Sequence, residues 1–181
     1  DPVALQREID TEHGRETARF TVVRVPPGTM PEGRIQFCQQ HTPELLWQLR
    51  WMEHANRAEG LAGVILGVAD AQEAAQRFAR YTGLLAQVSG SVWRIDTTRG
   101  YLLFVDRNTL HRCLDVVPPT LPWIAGTVLK SGDITATGNY LRKSGTPVHV
   151  LGNHRLLVKL RPAVGGILVF EPGNSGVLNF D

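Results

Sequence analysis

Two stretches of this chain recur, and the recurrence limits the fold more than any other feature. "AGVILGVAD" at residues 62–70 and "AGTVLKSGD" at 125–133 share both ends and the apolar pattern between them. "GYLLF" at 100–104 and "GILVF" at 166–170 repeat in the same order. A unit of a little over 60 residues that occurs twice is too long and too rare for a small solenoid. It points to duplication of one supersecondary module.

The first copy opens on "GLAGVILGVAD", a continuous apolar, partly β-branched run suited to a strand buried on both faces. Asp70 is placed to cap a following helix, with Glu73 as its capping-box partner. Ala71, Ala74, Ala75, Phe78 and Ala79 recur at helical spacing on one face, and Gly83 closes the helix. Short alternating segments at 86–88, 91–96 and 101–105, parted by Gly90 and "TTRG", read as turn-linked strands. The second copy keeps this order: a strand from Ile124 to the cap Asp133, a weaker helix to about Lys143 before Gly145, and strands at 148–151, 155–160 and 167–170. Between the copies, "DVVPPTLPW" is proline-rich and is expected to run extended.

Ahead of the modules, "ARFTVVRVPP" and "GRIQFCQQH" read as strands and residues 43–52 as a helix. Thr42 is its expected N-cap and Pro43 its first helical residue. Glu44 would offset the helix dipole, and Leu45, Leu46, Leu49 and Met52 would form a buried stripe. The fold class is α+β, built from βαβββ modules.

With 181 residues and 43% hydrophobic content the chain can bury one ordinary core, or one domain and part of another. Its net charge is +2, and the basic residues are scattered rather than gathered in a stripe, so no nucleic-acid partner is expected. Cys38 and Cys113 lie far apart and build neither a disulfide framework nor a zinc ribbon, which suits a reducing, cytoplasmic setting. The longest apolar runs, such as 61–69, fall far short of the roughly 20 residues a membrane helix requires. No membrane partner is expected, and no segment reads as a signal peptide.

Paired βαβββ modules with these caps and turns resemble the vicinal oxygen chelate superfamily, which includes glyoxalase I, the extradiol dioxygenases and the bleomycin-resistance proteins. The segment "IQFCQQHTPELLWQLRWMEHANRAEGLAGVILGVAD" is similar to its glyoxalase-like branch in the Gln-His, Pro-Glu-x-x-Trp and His-x-Asn stretches. The similarity spans roughly residues 15–173. It implies that each module's mixed sheet curls and that two modules pair into a cup around a ligand. Residues 60–175 would be a complete two-module domain (60–112 and 122–173), and residues 1–56 a partial module whose earlier strands precede this chain. A homodimer is implied as well.

Metal-dependent members of that superfamily place a His on the first strand of a module and a Glu on the last. Here the His positions fall on Gly63 and near Ala125 or Gly126, and the carboxylate positions near Leu103 and Val169. None of these can ligate an ion, so no metal is expected in the complete cup, although a divalent ion elsewhere stays open. Glu171, two residues past Val169, shares its face of the strand and is a candidate ligand-binding residue. Trp93 and Tyr101 are expected on inner faces as an aromatic wall, with Arg94 pointing the opposite way. Gln40, His41 and Glu44 are candidates at the helix entry, either as polar groups at a pocket mouth or as an ordinary capped corner. Cys38 reads as a small buried hydrophobe rather than a nucleophile. His149 and His154 could face each other across a hairpin, although a solvated turn is the simpler reading.

Two functions follow from these readings. One is a metal-free domain that binds or sequesters a small molecule, as the bleomycin-resistance branch implies. The other is a metal-dependent lyase, isomerase or dioxygenase-type enzyme whose site lies at the N-terminal module, with Gln40, His41 and Glu44 contributing and the remaining ligands expected upstream of Asp1. No phosphate loop and no catalytic serine elbow occurs.

Overall fold

Ala18, Phe20 and Val22 alternate with polar Arg19 and Thr21 to give a strand with one more buried side, and the computed structural model builds a small sheet around it. The structure describes residues 1–152 and 154–173, in two compact units, Asp1–Glu53 and His54–Asp181. In the first unit β1 (Val3–Thr11), β2 (Gly14–Arg24) and β3 (Gln36–Gln40) form an antiparallel sheet in that order. Ala18 and Val22 of β2 are its buried residues. β1 was not foreseen, although Leu5, Ile9 and Thr11 share its one half-buried face, because Arg7 interrupts the apolar alternation between them.

The expected helix at 43–52 is two single turns, α1 (Pro43–Leu46) and α2 (Leu49–Met52), broken where Gln48 takes an extended conformation. Thr42 does not cap α1: its hydroxyl accepts the backbone N–H of Arg19 instead, at 3.0 Å. The buried stripe is also absent, since Leu49 is 80% exposed and Met52 is exposed with it. A four-residue turn has too few positions to keep one apolar face inward.

In the second unit the duplication is explicit. The first module is β4 (Ala58–Gly67), α3 (Ala71–Thr82), β5 (Ala86–Ser89), β6 (Val92–Asp96) and β7 (Tyr101–Val105). The second is β8 (Trp123–Ser131), α5 (Ile134–Lys143), β9 (His149–Leu151), β10 (Arg155–Lys159) and β11 (Ile167–Pro172), and α4 (Arg107–Leu114) lies between the two. All eight strands make one mixed sheet, in the order β5-β6-β7-β4-β8-β11-β10-β9, joined through the antiparallel β4–β8 pair. The first strand of each module runs parallel to its last. Asp70 and Asp133 cap α3 and α5 through the N–H groups of Glu73 and Ala136. Glu73 turns its side chain to Arg77 rather than completing a capping box.

The repeated glycines are packing devices. A Cβ on Gly63 would lie 2.6 Å from Cδ2 of the Tyr101 ring, and one on Gly126 would lie 2.5 Å from Cγ1 of Ile167. A Cβ on Gly100 would strike the carbonyl of Ala62, and one on Gly166 would come within 2.8 Å of that of Ala125. In both modules, therefore, Ala-Gly on the first strand lies beneath the Gly-x start of the last. The repeat seen in the sequence is this one contact, made twice.

Helices α3 and α5 cover one face of the sheet. Phe78 of α3 meets Phe104 edge-on at 5.0 Å, and Leu141 of α5 packs with Leu156, Val158 and Phe170. The inner face, opposite these helices, carries Ile65, Leu103, Val105, Val128, Leu157, Ile167 and Val169 in one buried cluster. Leu110 and Leu114 of α4 and Val116 just after it belong to the same cluster. The eight residues just ahead of the proline-rich linker are helical, capped by Asp106 through the N–H of Thr109, and fill part of the cup, while 115–122 hold neither helix nor strand, as expected of an extended linker.

Candidate functional site

The two modules bring equivalent positions to opposite ends of the inner face. Gly63 pairs with Tyr101 as Gly126 pairs with Ile167, and Gly67 pairs with Val105 as Lys130 pairs with Glu171. Arg94 lies opposite Leu103 as Leu157 lies opposite Val169. In the same registers Asp96 corresponds to Lys159, and Val92 to Arg155. One end therefore holds Ile167, Leu157, Val105, Val92 and Gly67, and it is closed by α4, since a Cβ on Gly67 would come within 2.8 Å of Leu110. The other holds Tyr101, Arg94, Glu171, Arg155 and Lys130, and it opens into a cleft of about 320 Å³.

At the open end, Oε2 of Glu171 accepts a hydrogen bond from the Tyr101 hydroxyl and another from Nε of Arg155, both at 3.2 Å. Glu171 is 4% exposed and Arg155 2%. Taking two such charges out of water costs several kcal/mol per ion before their attraction is counted. Burial, then the Glu171 charge and the hydrogen bond donated to it, push the Tyr101 phenol far above its ordinary range, although Arg155 and Arg94 pull it down. Its ring is also held from the other side, because the Arg94 guanidinium carbon stands 4.1 Å from the ring centroid. Nε of Arg94 donates to Asp96 at 2.7 Å, Nη2 reaches the same oxygen, and Nη1 is buried with no partner among the described residues. Lys130, Arg99, Thr97 and Thr98 complete the rim.

Of the candidate residues, Tyr101 and Glu171 meet directly. Trp93 does not join them: it pairs with Phe104 and so lies on the α3 face. Arg94, expected to point away, lines the cleft instead. The assignment of faces was shifted by one residue, which in a strand reverses every side chain. Arg155 and Lys130 were missed. Arg155 sits one step before an apolar run and carried no sequence signal, whereas Lys130 replaces Gly67 in the aligned copies and was legible there.

Gln40, His41 and Glu44 all belong to the first unit. Gln40 accepts a hydrogen bond from the Trp47 indole at 3.2 Å, and the His41 ring meets the Thr21 hydroxyl at 2.7 Å. Glu44 is exposed in the first turn of α1. Cys38, expected to be buried, is exposed. His149 pairs with Leu157, while His154 sits in the turn with φ +58°, so these two histidines are not cross-strand partners.

The superfamily's metal does not fit the positions where its ligands would stand. Gly63 lies under the Tyr101 ring, Gly126 under Ile167, and Leu103 and Val169 are fully buried in the apolar cluster. Among the described residues no three His, Cys, Asp or Glu side chains gather to hold an ion. No helix among them is long and apolar enough to cross a membrane.

The α+β arrangement of paired modules in one mixed, unclosed sheet is the vicinal oxygen chelate fold. Solved structures agree. A hypothetical protein from Staphylococcus aureus superposes with a TM-score of 0.56 over 95% of this chain, at 9% identity. Methylmalonyl-CoA epimerase from Mycobacterium tuberculosis, a member of that superfamily, superposes with a TM-score of 0.51 over 71% of this chain and 97% of its own, at 15% identity. This chain spans 56% of the Staphylococcus protein's length. At such identities the likeness is one of fold. No family model matches the chain, and no curated protein matches it in sequence.

Proposed function

We propose that this chain carries a metal-free, small-molecule-binding domain of the vicinal oxygen chelate fold, whose ligand enters the open end of the cup between Tyr101 and Lys130. The observation that carries this reading is the buried Glu171, held by Tyr101 and Arg155 at the foot of an open cleft. The sister end of the same sheet solves the same packing problem with Val92 and Val105. Stability alone therefore favours the apolar choice. A charged network kept at one end and not the other is a site for something that enters it.

The absence of donors at Gly63, Gly126, Leu103 and Val169 supports binding without an ion. Homodimerisation, which the fold resemblance implies, is supported by the exposed Leu85 and Val88 at and beside the outermost strand β5. A fragment screen followed by amide NMR tests the binding reading. Shifts are expected to cluster on residues 94–101, Lys130 and Glu171, and to be the same with and without a chelator. Binding that disappears with the chelator and returns with a divalent ion would refute it.

A further inference from the structure

The charges around the cleft do not cancel, and we infer from this that the ligand is a small oxyanion, a carboxylate or phosphate ester, held by Arg94, Arg99 and Lys130. The inference rests on the cleft being the binding site and names the chemistry that the site selects.

Each of the two carboxylates lining the cleft already has its cation, and Glu59 stands beside Gly132 and Gly173 at the edge. Glu171 is held by Arg155 and Asp96 by Arg94. What remains in the lining is positive. Lys130 and Arg99 both line the cleft, and neither side chain makes a hydrogen bond or ion pair among the described residues. Arg94 keeps a third nitrogen, Nη1, buried without an acceptor. The guanidinium is also fixed in place, between Asp96 and the Tyr101 ring. A planar donor whose rotamer is already set loses little freedom when a planar carboxylate or a phosphate approaches it.

The cleft is also the wrong place for an apolar ligand. Its lining is largely polar, with Asp96, Thr97, Thr98 and Arg99 at the turn and Lys130 across from them. A volume of about 320 Å³ suits a compact metabolite rather than an extended chain. Cations arranged around a low-dielectric floor raise the local concentration of anions and reject neutral isosteres of the same shape.

The test uses the full chain, with malonate, inorganic phosphate and neutral malonamide as probes, measured by amide NMR titration and by calorimetry at two salt concentrations. Malonate, phosphate or both are expected to shift residues 94–101 and Lys130, with affinity falling as salt rises, while malonamide binds at least tenfold more weakly. Which of the two anions binds more tightly separates a carboxylate site from a phosphate site. Lys130→Gln with Arg99→Gln changes only exposed side chains and should weaken the anion at least tenfold. Arg94→Leu should weaken it further, with Arg94→Lys restoring part of the loss. Malonamide binding in the cleft as well as malonate, or anion affinity unmoved in the Gln variant, would overturn the oxyanion inference and leave the binding cup standing. If no probe and no fragment perturbs the cleft, both readings fall together.

Discussion

The two ends of the inner face share one module scaffold and are finished in opposite ways. At the closed end the chain packs Ile167, Leu157, Val105 and Val92 under Leu110 and Leu114, and no charged group among the described residues is buried there. At the open end the equivalent positions are Tyr101, Arg94, Glu171 and Arg155, with no helix among the described residues lying over them. Strand register and glycine contacts are shared, so the difference lies in the side chains and in α4, which covers one end and has no counterpart over the other among the described residues. One repeated scaffold is filled with core at one end and carries a buried ion pair beside an open cleft at the other, and the core end shows what the charged end gives up in stability.

The comparison can be broken most sharply at its charged centre. Glu171→Ala leaves Arg155 buried beside a lost partner and should destabilise the second unit by about 3–5 kcal/mol in chemical denaturation. Replacing the whole network, as Tyr101→Phe with Arg155→Met and Glu171→Leu, leaves no phenol without its acceptor, imitates the sister end and should be neutral or stabilising by about 1–4 kcal/mol, while abolishing ligand binding. If the triple variant were as unstable as Glu171→Ala, the open end would be a structural necessity and not a retained site.

The closed end offers the reciprocal change. Leu110 is fully buried, and Leu110→Ala should cost about 2–5 kcal/mol without altering anion binding, as read by thermal melts and titration side by side. A smaller effect is expected beneath the tyrosine. Gly63→Ala puts a methyl where the Tyr101 ring lies and should cost about 1–3 kcal/mol, with Tyr101→Ala relieving much of that loss in a double-mutant cycle.

The smallest expected change is Tyr101→Phe, at about 1–2 kcal/mol near neutral pH, for one hydrogen bond to a charged acceptor. Its pH dependence is more telling. The folded state holds the Tyr101 phenol above its unfolded value of 10.0, so the unfolded chain releases this proton first. The contribution is present in full below that pH and is lost as pH rises toward the folded value. Stability of the unaltered protein should therefore fall more steeply above pH 10 than that of Tyr101→Phe, and parallel curves would place the phenol in a less buried setting than the structure shows.

Most of the second unit was legible in the sequence because its signals are local. Caps at Asp70 and Asp133, the helix stop at Gly83 and strands at 101–105 and 167–170 each depend on a few neighbouring residues, and the duplication stated each one twice. The repeated Ala-Gly and Gly-x pairs even recorded a contact between distant strands, because a Cβ is intolerable on both sides of it. The helix α4 was hidden by the prolines that follow it, and the broken turns at 43–52 by an apolar spacing that a longer helix would share.

The sequence by itself determined the module, its doubling and the lack of metal donors at Gly63, Gly126, Leu103 and Val169, since these are matters of residue type and spacing. Only the tertiary structure decided which end of the cup is open. That choice depends on which face of β6 turns inward, placing Arg94 and not Trp93 at the cleft, and on α4 lying over one end. It also depends on residues as distant as Tyr101 and Glu171 meeting within hydrogen-bond reach. A one-residue shift of a strand reverses its faces at almost no cost to local propensity, so only packing across the whole sheet fixes it.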